Sequence, residues 1–128
     1  MNGFEAFDEV KRAIVVAAHP DDLECCCGGV VTMLVSRGVE VFSANCTLGD
    51  IGAQDGDIVR PALAATRLAE TEEAARRLGL AGIYNLGHHD GELMPDLELR
   101  AQIARIYRVT QADTLFTFDP HWPGQIHP

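Results

Sequence analysis

The chain is short of positive charge: 10 Lys and Arg stand against 19 Asp and Glu, a formal net charge of −9. With no Lys/Arg cluster there is no basic stripe to neutralise phosphates, which argues against nucleic acid or an anionic membrane surface as the main partner and for a small-molecule substrate. Also missing is any apolar run approaching the ~20 residues of a membrane span. The start, Gly3-Phe4-Glu5-Ala6-Phe7-Asp8-Glu9, lacks the basic-then-apolar order of a signal peptide, so a cytoplasmic protein is expected. A disulfide framework is absent as well, since Cys25, Cys26 and Cys27 are consecutive and Cys46 stands alone. Neighbouring helical residues point in different directions, so the triplet cannot converge on one metal; reduced thiols used as small packing groups are expected.

What remains is enough for one α/β domain: 128 residues, 47% of them hydrophobic, are too few for two independent cores. The densest chemistry lies in Ala18-His19-Pro20-Asp21-Asp22-Leu23, directly after the apolar run Ala13-Ile14-Val15-Val16-Ala17. α/β proteins place their sites at such strand ends. An imidazole and a carboxylate together suit Zn²⁺, with Fe²⁺ or Co²⁺ as chemically acceptable substitutes, better than Ca²⁺ or Mg²⁺. The second carboxylate is then free to act as a base.

The β-branched run over 13–18 predicts a strand buried on both faces of a parallel sheet. Cys26, Val30, Met33 and Leu34 recur with helical spacing and Gly38 follows as a stop, predicting a helix over 23–37. Gly28 and Gly29 inside it each cost roughly 1 kcal/mol against Ala, and close approach of the helix to the sheet or site is the expected compensation. A second strand over 39–46, a glycine-rich loop over 47–56, a helix from Pro61 to 78 stopped by Gly79, and a short strand over 82–86 come next. Asp96 caps a third helix with apolar face Leu99, Ile103, Ile106 and Tyr107, and a fourth strand covers 114–118.

This alternation predicts a Rossmann-like three-layer α/β sandwich with a mostly parallel sheet in the order 3-2-1-4. The first and fourth strands are then neighbours. Their shared crevice should bring His19, Asp21 and Asp22 against the closing segment from His121 to His127.

These residues carry a resemblance. His19-Pro20-Asp21-Asp22-Leu23-Glu24 with Gly28-Gly29 is similar to the N-terminal signature of the PIG-L/LmbE-like zinc-dependent N-deacetylases. The similarity continues through Thr47-x-Gly49-Asp50-x-Gly52, Arg67-x-x-Glu70 with Leu78-Gly79, Asp90-Gly91 and Asp119-Pro120-His121-Trp122-Pro123-Gly124. It implies hydrolysis of the acetamide of an N-acetylglucosamine-type conjugate to acetate and a free amine. By resemblance, His19 and Asp22 match two zinc ligands, Asp21 the general base for the attacking water, and His127 a histidine that stabilises the oxyanion. Arg67 and Asp90 match positions that contact the sugar. The resemblance leaves the aglycone open and allows self-association into a homo-oligomer.

The third zinc ligand of the resembling family is the last histidine of a His-Pro-Asp-His motif, whereas this chain stops at His127-Pro128. A domain truncated before that ligand is therefore expected, with little or no activity in residues 1–128 alone. Simpler roles stand beside these: Asp22 as a helix cap, Glu24 as a first-turn acid complementing the helix dipole, and Arg67 with Glu70 as a surface ion pair. His88 and His89 read as solvated loop residues, Asp50 as a loop-internal cap or a substrate contact, and Trp122 as a packing anchor. The alternatives in other functional classes are a nucleotide-binding module and an inactive module of the same fold. Against the first, the turn after strand one holds two carboxylates and no G-x-G-x-x-G.

Overall fold

The computed structural model describes residues 4–54 and 56–121. After a single 3-10 turn at Glu5–Phe7, the order is β1 (Arg12–Ala17), α1 (Asp22–Ser36), β2 (Glu40–Thr47), α2 (Arg60–Leu78), β3 (Gly82–His88), α3 (Leu97–Thr110) and β4 (Thr114–Phe116). The strands form one sheet in the order β3-β2-β1-β4, and every pairing is parallel. That is the predicted order.

Alternation along β1 builds the three layers. Ala13 and Val15 face Leu23, Val31 and Leu34 of α1, with Leu78 and Leu80 at the end of α2 packed alongside. Ile14 and Val16 face the opposite way, with Ala44 and Cys46 of β2, onto Ile106, Ile103 and Leu99 of α3. Ile14, Val31, Leu34 and Val41 are fully buried, so β1 and its neighbours carry the core. Among the described residues no helix is long and apolar enough to cross a membrane.

Several local expectations need correcting. On α1, Val30, Met33 and Leu34 face the core as predicted, with Leu23 and Val31 buried beside them; Cys26 alone departs, being exposed where Cys27 packs inward. Only Cys27 and Cys46 pack against the core, whereas Cys25 and Cys26 are exposed thiols. A Cβ on Gly29 would meet nothing within 4 Å and one on Gly28 only Leu23 O at 3.9 Å, so neither glycine is required by close approach. On α3, Tyr107 is 36% exposed and leaves the apolar face to Leu99, Ile103 and Ile106. β3 extends to His88 because it pairs with Thr47 beyond an irregularity in the register. β4 ends at Phe116, where its pairing with Val15 is the last, although β1 itself runs on to Ala17.

Candidate active site

The site forms where β1 gives way to α1. Ala18 O accepts both the backbone N–H of Thr47 at 2.9 Å and its hydroxyl at 2.8 Å, which ties the end of β1 to the end of β2. Asp22, the first residue of α1, accepts the His19 backbone N–H on Oδ2 at 2.9 Å. Its carboxylate therefore braces the His19 turn and does not cap the helix. Asp21 occupies the N-cap position with φ of 95°, a left-handed conformation that costs a non-glycine residue about 1–3 kcal/mol, and its side chain makes no cap bond. The carboxylate turns to Arg67.

Arg67 reaches in from α2. Its Nη2 donates to Pro20 O at 2.7 Å and to Asp21 Oδ2, and its Nη1 donates to Glu70 Oε2 at 3.1 Å. The Arg67–Glu70 pair is thus only half of the arrangement. Partial burial works against the guanidinium charge, but the hydrogen bond and attraction of Asp21, with those of Glu70, prevail and raise its pKa. Beside it a cavity of about 160 Å³ is lined by Pro20, Asp21, Glu24, Arg67 and Glu70, among others. Glu24 is a first-turn acid of α1, as expected, yet its Oε2 is buried with no hydrogen-bond partner.

The turn after β3 closes the other side. Asp90 Oδ1 lies 3.0 Å from His19 Nε2, joining residues 71 apart in sequence. Asp50 lies beneath this contact with only 2% of its surface exposed. It accepts Arg60 Nε at 2.8 Å, His89 Nδ1 at 2.7 Å and the Asp90 backbone N–H at 2.9 Å. Burial alone would raise its pKa, but these donors outweigh burial and hold it well below the usual carboxylate range. Asp50 is therefore more than a loop-internal cap, and it is not an open substrate contact. His88 and His89 are not simply solvated either: His88 Nε2 meets Gln102 Oε1 at 2.6 Å and His89 meets Asp50.

Gly49 fits this crowding for a steric reason. Its φ is +62°, and a Cβ there would stand 3.0 Å from Pro20 Cδ and 3.6 Å from Arg67 Nε. The loop after β2 is thereby pressed onto the His-Pro-Asp-Asp turn.

His19, Asp21, Asp22, Arg67 and Asp90 line one open cavity of about 480 Å³ with Gly49, Ile51 and Gly52. Three carboxylates against one guanidinium and one imidazole make it an acidic cleft, suited to a cation and hostile to a pyrophosphate. His19 Nδ1 and Asp22 Oδ2 lie side by side at 3.7 Å, a nitrogen and an oxygen donor of the kind that share a transition metal. Among the described residues no group of three or more His, Cys, Asp and Glu could hold a metal, so this pair supplies two donors. Five of the six predicted site residues thus share one cleft. His127 lies outside the described residues, as does Trp122. His121 is exposed and its backbone N–H is bonded to Asp119.

Comparison with known proteins places this geometry in context. The family model described as "PIG-L: GlcNAc-PI de-N-acetylase" matches residues 14–128. Diacetylchitobiose deacetylase of Thermococcus kodakarensis is 32% identical over 97% of the chain and 46% of its own length. A probable N-acetyl-alpha-D-glucosaminyl L-malate deacetylase of Bacillus cereus is 31% identical over 92% of the chain and 55% of its own. The chain spans about half the length of these relatives. Among solved structures, N,N'-diacetylchitobiose deacetylase from Pyrococcus horikoshii superposes with a TM-score of 0.91 at 38% identity, covering 95% of this chain and 46% of that one. A 4-carboxy-2-hydroxymuconate hydratase from Pseudomonas putida has a TM-score of 0.78 at 23% identity, over 87% of this chain and 49% of that one, a likeness of fold alone.

Proposed function

The chain belongs to the PIG-L family of GlcNAc-PI de-N-acetylases, and from that membership and the cleft at the end of β1 we propose that the protein is a metal-dependent N-deacetylase acting on an N-acetylglucosamine-type conjugate. The observation that carries this reading is the convergence of His19, Asp21 and Asp22 from one turn with Arg67 from α2 and Asp90 from beyond β3 on a single acidic cavity. The named deacetylases among its relatives support the substrate class.

His19 and Asp22 would hold the ion, Zn²⁺ or else Fe²⁺ or Co²⁺, with a further ligand from outside the described residues. Such an ion would supply Lewis-acid polarisation of the amide carbonyl and acidify a water in the cleft. Asp21 takes the proton as that water attacks and returns it to the departing nitrogen, so that acetate and a free amine leave with atoms in balance. Its strained backbone and its ion pair with Arg67 turn the carboxylate into the cleft and away from the helix amides. Arg67 and Asp90 border the space for the sugar, and His127 is assigned the oxyanion-stabilising role. Four cysteines without a disulfide among them fit a reducing, cytoplasmic setting.

The experiment is release of free amine from N-acetylglucosamine conjugates by the full-length protein before and after chelation. Loss of turnover on metal removal and its return with Zn²⁺ support the reading. Turnover that persists in a protein stripped of metal contradicts it.

A further inference from the structure

Resting on the metal-dependent reading above, we propose that Asp50 is a positioning residue: through the turn after β3 it sets Asp90, and through Asp90 it fixes the ring of His19. Asp50 Oδ1 accepts the Asp90 backbone N–H at 2.9 Å, while its Oδ2 is occupied by Arg60 and His89. Asp90 in turn places Oδ1 3.0 Å from His19 Nε2. A carboxylate can only accept, so the ring nitrogen facing it carries the proton, and in the uncharged form of the ring the other nitrogen is left bare. That bare Nδ1 is the one lying 3.7 Å from Asp22 Oδ2, too far for a hydrogen bond. The bare nitrogen thus sits beside Asp22 Oδ2, an oxygen whose other contact is the His19 backbone N–H at 2.9 Å.

The chain supplies its own reason for so buried an anion. Burying a carboxylate is costly unless every lone pair finds a donor, and a neutral side chain would tie the loops together at lower cost. Asp50 instead gathers a guanidinium from the start of α2, an imidazole and a main-chain amide from the turn after β3. Arg60 also reaches Glu92 Oε1 at 3.0 Å, so the loops after β2 and β3 are clasped together. In metal sites, a carboxylate behind a ligating histidine fixes its tautomer and orientation. Here the carboxylate behind the histidine has a second carboxylate behind it.

The test compares wild type with Asp50→Asn, Asp90→Asn and the double variant in the full chain. It reads the His19 ring tautomer by long-range ¹H–¹⁵N NMR without metal, and Zn²⁺ affinity by chelator competition. Wild type is expected to show the proton on Nε2, and both single variants a mixture of tautomers. Zn²⁺ affinity should fall about 10–100-fold in Asp90→Asn and about tenfold in Asp50→Asn. The double variant should stay within about twofold of Asp90→Asn, because the two act in series.

A folded Asp50→Asn with an unchanged His19 ring, or losses that multiply in the double variant, would overturn the proposal and leave Asp50 a loop fastener. If wild type binds no Zn²⁺, the metal reading fails, and the ring tautomer still decides the relay. Should Asp50→Asn not fold, Arg60→Gln removes the cation that orients Asp50 while keeping the carboxylate. A smaller tautomer shift in the same direction is then expected, and an unchanged ring again overturns the relay.

Discussion

Asp21 concentrates the chemistry in one residue. Aspartate is among the best helix caps, so an N-cap Asp that makes no cap bond and adopts a left-handed backbone is being held for another purpose. Asp21→Asn should keep the fold and the metal yet lose about 10²–10⁴-fold in kcat, the usual contribution of a positioned proton acceptor, as read by steady-state amine release. Asp50 makes a prediction about pH. Its folded pKa is depressed, so the unfolded chain, with a carboxyl near 3.9, binds the extra proton as acid is added. Its contribution to stability is therefore complete above about pH 5 and declines as pH falls below about 4. Urea midpoints measured against pH should show an acid limb that is shallower in Asp50→Asn. An identical limb would remove Asp50 from the acid-sensitive set. The meeting of His19 and Asp22 was legible because the two lie three residues apart after a strand. That of Asp50 with its partners was not, since two of them, His89 and the Asp90 amide, lie 39 and 40 residues away and only the fold brings them together.

At the scale of elements, the strands and helices announced themselves through local physics. A β-branched run marked β1, and Asp96 caps α3 by accepting the Leu99 amide at 2.9 Å, as its position before the apolar periodicity implied. Loops were harder to read. The loop after β2 reads as a glycine-rich connector, yet Gly49 permits an approach to Pro20 that would put a Cβ 3.0 Å from Pro20 Cδ, tighter than nearly all side chains accept. Gly49→Ala should cost about 1–2 kcal/mol for the left-handed backbone alone, with further loss from the clash, and should displace the Pro20 turn. Thermal unfolding reads the first effect and Zn²⁺ affinity the second. Gly28→Ala offers the contrast. With no close neighbour but Leu23 O at 3.9 Å, it should leave the fold intact and gain roughly 1 kcal/mol of helix propensity. In α1 the helical period picked out Val30, Met33 and Leu34 but took Cys26 for Cys27, because the two are chemically identical and only packing separates the exposed thiol from the partly buried one.

For the whole molecule, β1 serves both as the middle of the core and as the platform of the site. Leu34, fully buried on the α1 side of the sheet, should cost about 2–5 kcal/mol when replaced by Ala, measurable by urea denaturation. Because α1 carries both Leu34 and Asp22, that variant should also weaken metal binding at temperatures where the helix frays. The sheet order follows from the alternation of strands and helices, and with it the meeting of the β1 and β4 ends. The bridge that actually reaches His19 comes from beyond β3, at the far edge of the sheet, which no local pattern foretells. The measurement that bears most directly on the whole account is amine release from an N-acetylglucosamine conjugate by the full-length protein, stripped of metal and then titrated with Zn²⁺, beside Asp21→Asn treated identically. Activity that rises with about one equivalent of Zn²⁺ in wild type, and stays absent in an Asp21→Asn protein that takes up the same Zn²⁺, is the predicted result. Equal activity in the two proteins, or wild-type turnover indifferent to Zn²⁺, would contradict it.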